Sequence, residues 1–214
     1  MLSLSIVILC DFTTMIKKTI IWLRNDLRLS DNAALSYACT NNSNILFLYI
    51  LDESYVIGAA SKWFLYKSLN SFKADIAHKY NAELLIKSGK PKDIIEEIVK
   101  NYGITSIVWN RVYEPYAIKR DTDIKEYFRA MNLEVKTFNS SLLFDPSTIK
   151  NSSGSYFKVF TPFWKYLLAQ LNNIDELYHT PKSLKLIKLQ NGKELNLQDL
   201  NLLPQNPNWA MGCW

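Results

Sequence analysis

Four short runs of almost wholly apolar residues, at 19–23, 45–51, 82–86 and 104–109, recur along the chain with helix-period segments between them. A strand that is apolar at nearly every position must be covered on both faces, as in a parallel sheet buried between helices. The intervening segments supply the covers. Residues 61–80 place Leu65, Leu69, Phe72, Ile76 and Tyr80 at three- and four-residue intervals, one apolar stripe facing a sheet. Residues 91–102 repeat the pattern through Ile94, Ile95, Ile98 and Val99, with Pro91 in the first turn, where its missing N–H is tolerated. Residues 116–131 follow with Ile118, Ile124, Tyr127 and Phe128, and a weaker apolar run at 133–138 closes the series. Strand–helix–strand repetition with right-handed crossovers predicts an α/β fold: a doubly wound, five-stranded parallel sheet of Rossmann-like type, followed by an irregular linker.

Sheets of this kind bind ligands outside the carboxyl ends of their strands, where the strand order reverses. Arg24 ends the first run and opens the turn Arg24-Asn25-Asp26-Leu27-Arg28. These charges form either an ion-paired surface turn or, for Arg24, a contact to a ligand. Position favours the ligand for Arg24 and a structural role for Asp26, Arg28 and Asp31. Ser30 or Asp31 is placed to cap the helix that begins near Asn32. Tyr49, Ile50, Leu51 and Asp52 end the second run and wall the same crevice. Asn110 and Glu114 follow the fourth run; Glu114 either accepts from a ligand or compensates Arg111 or Arg120. Lys62, at a helix start, either reaches over the crevice or is solvated.

Beyond residue 138 the texture changes. Residues 140–146 and 151–155 are loop-like, a short helix is expected over 162–171, and 172–214 is polar with Pro181, Pro204 and Pro207. The expected organisation is an upstream extension over 1–14, an α/β domain over 15–139, an extended arm with a short helix over 140–171 and an interdomain linker over 172–214. Met15 is the expected natural start, because Met15-Ile16-Lys17-Lys18 leads directly into the first strand. Residues 2–10 are apolar but only about half the length that spans a bilayer, and they lack the basic flank and cleavage site of a secretory signal.

Composition excludes several classes. Apolar residues make up 48% and charged residues 21%, a globular balance. The net charge of +5 is spread along the chain, which gives no concentrated nucleic-acid surface. Cys10, Cys39 and Cys213 are far apart, which argues against a disulfide framework and fits a reducing cytoplasm. His78 and His179 are equally isolated, so no metal site is expected. There is no G-x-G-x-x-G and no phosphate-binding P-loop.

Three segments carry a resemblance: Ile20-Ile21-Trp22-Leu23-Arg24-Asn25-Asp26-Leu27-Arg28-Leu29-Ser30-Asp31-Asn32, then Trp109-Asn110-Arg111-Val112-Tyr113-Glu114-Pro115-Tyr116, then Tyr156-Phe157-Lys158-Val159-Phe160-Thr161-Pro162-Phe163-Trp164. In that order the chain resembles the amino-terminal domain of the DNA photolyase and cryptochrome family. Trp63-Phe64-Leu65, Leu202-Leu203-Pro204 and Asn208-Trp209-Ala210 add to it.

The resemblance implies an antenna chromophore in this domain, held by Arg24, Tyr49, Ile50, Leu51, Asp52, Lys62, Asn110 and Glu114. It implies FAD only in a carboxy-terminal helical domain that lies outside this chain. No catalytic residue is expected here, and the fragment alone is expected to be inactive. Damaged DNA would be reached only through a separately encoded FAD-binding half. Glu114-Pro115-Tyr116 and Pro162-Phe163-Trp164-Lys165 look like members with a deazaflavin-type antenna. Tyr116 and Ala117 stand where folate-binding members carry an Asn-Glu pair, and Val112 stands where several deazaflavin members carry an aspartate. The rival readings are a stand-alone flavin- or nucleotide-binding α/β module and a cryptochrome-like photoreceptor fragment. With a helical domain packed on the linker in such proteins, Leu202, Leu203, Trp209 and Trp214 are expected to be exposed here.

Overall fold

A computed structural model of the chain describes residues 16–54, 56–173, 176–189 and 195–204. Strands β1 (Lys18–Leu23), β2 (Asn44–Leu51), β3 (Leu84–Ser88), β4 (Ser106–Asn110) and β5 (Glu134–Phe138) form a parallel sheet in the order β3-β2-β1-β4-β5. Their side chains alternate between two cores. Ile21, Leu23, Phe47 and Ile86 point to one face, which α1 (Ala33–Thr40) and α2 (Ala59–Tyr80) cover with Leu35, Leu69, Phe72 and Ile76. Ile20, Trp22, Leu48 and Trp109 point to the other, covered by α3 (Pro91–Tyr102) and α4 (Pro115–Ala130) through Ile95, Ile98, Ile124 and Phe128. This is the doubly wound α/β arrangement that the apolar runs predict.

Local chemistry sets the helix ends. Pro91 and Pro115 stand in the first turns of α3 and α4. Gly103 and Asn81 take the left-handed conformation that closes α3 and α2. The cap of α1 differs from expectation. Asp31 itself adopts φ 48°, and the capping acceptor is the next residue, Asn32, whose side chain takes the Leu35 N–H at 3.1 Å.

The linker segment also differs from expectation. Residues after 176 return to the sheet instead of standing off it. The Tyr178 carbonyl accepts from the Asp31 N–H at 2.7 Å, and Tyr80 donates its hydroxyl to the Pro181 carbonyl at 2.6 Å. A two-residue strand, β6 (Lys185–Leu186), pairs with the start of β2 beside Asn44 and Ile45. A 3-10 turn, Leu197–Leu200, then inserts Leu197 and Leu200 into the α1/α2 core. Leu202 is only 3% exposed, a correction to its expected exposure, whereas Leu203 is 41% exposed. The reason is geometric: β3 begins beside Phe47 and leaves the first residues of β2 unpaired on that side, so this chain's own return segment fills the gap. Met15, Trp209 and Trp214 lie outside the described residues.

The arm around Pro162 does not pack on the sheet. Helix α5 (Phe160–Ala169) buries none of its residues.

The return segment is therefore part of the folding unit. Leu202→Ala should cost about 2–5 kcal/mol, read as a lower urea midpoint. Deleting residues 172–214 should lower the melting temperature and expose apolar surface. A deletion that keeps the parental melt and gains solubility would contradict this placement.

Candidate cofactor cleft

Backbone pairing between β1 and β4 runs from Thr19–Ser106 to Ile21–Val108 and stops there. On their outer sides, β1 stays paired with β2 to Leu23–Tyr49 and β4 stays paired with β5 to Asn110–Phe138. The sheet thus opens between its two central strands at their carboxyl ends, where the strand order reverses. Side chains bridge the opening. The Arg24 guanidinium donates to the Asn110 carbonyl and to the Asp121 carboxylate, with which it forms a buried ion pair. The Asn110 amide donates to Asp26 at 2.6 Å and to Asn32 at 2.8 Å, and its oxygen accepts from the Ala34 N–H at 3.1 Å. Asp26 also accepts from the Arg24 N–H at 2.7 Å.

The Arg24–Asp121 pair continues as a ladder of alternating charge. Asp121 accepts from Arg120 at 2.8 Å, and Arg120 reaches Asp52 at 2.9 Å. Asp52 also accepts from the Ser54 N–H at 3.0 Å and from the Tyr116 hydroxyl at 3.1 Å. Both cations lie close to Trp22, whose ring is 4.8 Å from the Arg24 guanidinium and 5.1 Å from that of Arg120. Trp109 meets Trp22 edge-on at 5.5 Å. Burial pulls the Arg24 guanidinium below its ordinary pKa, against the raising effect of Asp121 and Asp26. Burial acts on Arg120 in the same direction, but Asp121 and Asp52 carry it above the usual value. For Asp52, burial favours the neutral acid, yet hydrogen bonds from Ser54, Arg120 and Tyr116 hold it below the usual carboxylate range.

Beside this ladder lies a cleft of about 750 Å³. Arg24, Asn25, Leu27 and Arg28 come from the β1–α1 turn, and Tyr49 through Asp52 from the end of β2. Ser61, Phe64, Leu65 and Ser68 form one face of α2. Glu114, Tyr116, Ala117 and Arg120 come from the start of α4. A smaller cavity of about 340 Å³ adjoins it between the β1–α1 and β4–α4 turns and Ser140 to Leu142.

Of the residues selected from sequence, Arg24, Tyr49, Ile50, Leu51, Asp52 and Glu114 line the main cleft. Asn110 lines only the smaller cavity, and its side chain is engaged inside the fold. Lys62 lines neither, although its neighbours Ser61, Phe64 and Leu65 do. Sequence reasoning missed Arg120, Tyr116, Phe64 and Ser68. A signal was present for two of them: Tyr116 and Arg120 are four residues apart, with Ala117 and Asp121 beside them, on one face of a helix whose start adjoins a strand end. Among the described residues no cluster of His, Cys, Asp and Glu could hold a metal, and no helix is long and apolar enough to cross a membrane.

A doubly wound α/β domain with its cleft at the strand carboxyl ends defines a broad class of cofactor-binding proteins. Sequence comparison narrows it. The DNA photolyase family model matches residues 19–183, and the chain belongs to that family. It is 34% identical over 195 residues to the deoxyribodipyrimidine photo-lyase of Agrobacterium fabrum, covering 89% of this chain and 40% of that relative. A class III photolyase structure from Agrobacterium tumefaciens superposes with a TM-score of 0.84 at 33% identity, over 91% of this chain and 40% of that one. An archaeal photolyase from Sulfolobus tokodaii, described with two FAD molecules and a novel light-harvesting cofactor, shares the fold at 21% identity, with a TM-score of 0.72 over 86% of this chain and 41% of that one. The chain thus spans about 40% of the length of these relatives and corresponds to their amino-terminal part.

The charge ladder carries two predictions. Asp121→Asn leaves Arg24 buried beside a neutral partner and should cost about 3–5 kcal/mol, measured by urea unfolding. Asp52 has a depressed folded pKa, so its contribution is complete above the unfolded carboxylate value of about 3.9 and is lost as pH falls through the folded value. Asp52→Asn should therefore flatten the acid limb of a stability–pH curve and leave the neutral region parallel to wild type. An unchanged acid slope would remove Asp52 from the ladder.

Proposed function

We propose that this chain is the light-harvesting part of a cytoplasmic DNA photolyase and that the main cleft holds its antenna chromophore. The observation that carries the reading is the cleft itself, opened by the parting of β1 and β4 in a domain that belongs to the photolyase family. Its volume falls within the roughly 300–1,000 Å³ of small-molecule sites. The residues present suit a planar conjugated ring with polar edges. Phe64, Leu65 and Ile50 offer apolar faces, while Glu114, Asn25, Ser61 and Ser68 place acceptors and donors around them. Arg24 Nε is buried and has no hydrogen-bond partner among the described residues.

Glu114 would accept from a ring N–H or hydroxyl, and the Arg24 and Arg120 guanidiniums would favour electron-rich ring edges. The Glu114-Pro115-Tyr116 and Pro162-Phe163-Trp164-Lys165 segments, which look like those of deazaflavin-type members, favour a deazaflavin-type chromophore over a reduced folate. When bound, such a chromophore supplies blue-light absorption and passes excitation to FAD. FAD and damaged DNA would be bound by polypeptide equivalent to the part of the relatives that this chain does not span. Within this chain, the residues named bind and orient the ring and exclude water from it; none is assigned to bond cleavage.

Titrating the full chain with a hydroxylated deazariboflavin and, separately, with methenyltetrahydrofolate tests the reading by fluorescence anisotropy. Tighter binding of the deazaflavin is expected. Phe64→Ala, at a position already 68% exposed, should weaken it about tenfold, equivalent to ~1.4 kcal/mol of lost ring contact. Tighter folate binding would overturn the chromophore assignment. Binding of neither, or binding indifferent to Phe64→Ala and Glu114→Gln, would overturn the cleft.

A further inference from the structure

The long helix α2 begins at the wall of the main cleft, where Ile57, Ala60 and Ser61 line it. The first N–H groups of a helix have no partner inside it and carry a partial positive charge, which capping side chains or nearby acids commonly answer. The start of α1 is answered in that way, by the side chains of Asn32 and Asn110. The start of α2 is not. Its N-cap residue is Gly58, which has no side chain to accept with, and its first turn carries no acidic residue. The Lys62 N–H closes the first helical bond, on the Gly58 carbonyl at 2.9 Å, so the N–H groups of Ala59, Ala60 and Ser61 precede the helical ladder. Small side chains leave them approachable, and nothing lies within 4 Å of the position that a Cβ on Gly58 would take.

A second observation points to an acceptor in the same cleft. Arg24 is 8% exposed and belongs to the lining. Its two terminal nitrogens donate to Asp121 and to the Asn110 carbonyl, while its Nε is buried without a hydrogen-bond partner. A buried donor left unmade is destabilising until an acceptor reaches it. Charge narrows the acceptor. Arg24, Arg28 and Arg120 face the cleft against Asp52 and Glu114, and Asp52 is already held by Arg120 at 2.9 Å. Glu114 stands at the start of α4, which leaves the start of α2 as the place for an anion. A phosphate, with several oxygens for adjacent N–H groups, suits a helix start of this kind.

We propose that the first turn of α2 is a phosphate subsite of the cleft, and that the ring bound there carries a phosphate ester on its tail. The proposal rests on the reading that the cleft holds a conjugated ring and adds the anionic part of that ligand. The N–H groups of Ala59, Ala60 and Ser61, with the Ser61 hydroxyl, take the phosphate oxygens. Arg24 Nε takes a further acceptor of the same ligand.

The test titrates the full chain with riboflavin and with riboflavin phosphate, which share one ring and differ only in the phosphate, by fluorescence anisotropy. The phosphate form should bind about tenfold more tightly, as charge-assisted hydrogen bonds imply, and the preference should shrink as salt is raised. Gly58→Asp sets a carboxylate on the same N–H groups. It should erase the preference while keeping the melting temperature at or above that of wild type, because aspartate is a favourable N-cap. Gly58→Ala adds a side chain without an acceptor and should keep the preference. Inorganic pyrophosphate, which carries the anion without a ring, should raise the melting temperature of wild type and not of Gly58→Asp. Equal affinity for the two flavins, or a preference that survives Gly58→Asp, would overturn the subsite and leave the ring reading standing. If neither flavin binds but pyrophosphate still acts, the ring reading fails and the anion site remains; if pyrophosphate is also without effect, both fail. Methenyltetrahydrofolate binding more tightly than riboflavin phosphate, and lost in Gly58→Asp, would assign the subsite to a carboxylate instead.

Discussion

Everything that positions the cleft depends on how the chain closes a sheet that has come apart. Between β1 and β4 the backbone ladder ends at Ile21 and Val108. Beyond that point the Asn110 carbonyl would face the interior without a strand partner, an expensive state for a buried acceptor. Arg24 supplies the donor, and the Asn110 side chain makes three hydrogen bonds to the turn that follows β1 and to the first turn of α1. The two central strands are thus joined by side chains where they can no longer be joined by backbone. The opening is held at fixed width instead of fraying.

The same solution determines the electrostatics. A guanidinium placed in the opening is buried, and a buried cation needs a buried anion. Asp121 provides it from α4, Arg120 compensates Asp121, and Asp52 compensates Arg120 at the end of β2. Each charge answers the one before it, and the chain of compensation runs across three elements until it reaches the wall of the cleft. The polar side of the cleft is therefore a consequence of the sheet's topology, and both of its cations lie close to the Trp22 ring.

These features were unequally legible in sequence. The five strands and the bounds of α3 could be read directly, because burial on both sides of a sheet leaves unbroken apolar runs and covering helices leave stripes. The cleft residues at strand ends, Arg24 and Tyr49 to Asp52, followed from the rule about carboxyl ends. Asn110 satisfied the same rule, yet its side chain is taken by residues 76 to 84 positions away, and no local pattern reports such a pairing. Arg120 was hidden for the opposite reason: the local sequence offers Glu114 as its counter-charge, and only the fold sets Asp52 beside it. The return segment was hidden because a two-residue strand has no period, and because the leucines at 197, 200 and 202 sit in a 3-10 turn, where helical spacing does not apply.

The long helix α2 shows how cleft and core are parts of one surface. Its stripe is continuous: Ser61, Phe64, Leu65 and Ser68 lead without interruption into Leu69, Phe72 and Ile76. The second half of the stripe meets the sheet and is buried to 2% exposure or less. The first half overhangs the strand ends, where there is no sheet to meet, and Phe64 is left 68% exposed. A ligand in the cleft would stand in the place the sheet has vacated and would complete the burial of the stripe. Binding and folding would then be linked through one helix. A ligand at a hundred times its dissociation constant adds about 2.7 kcal/mol to the stability of a protein that binds it only when folded. Here that increment would be localised, falling on the turns of α2 that the sheet cannot reach.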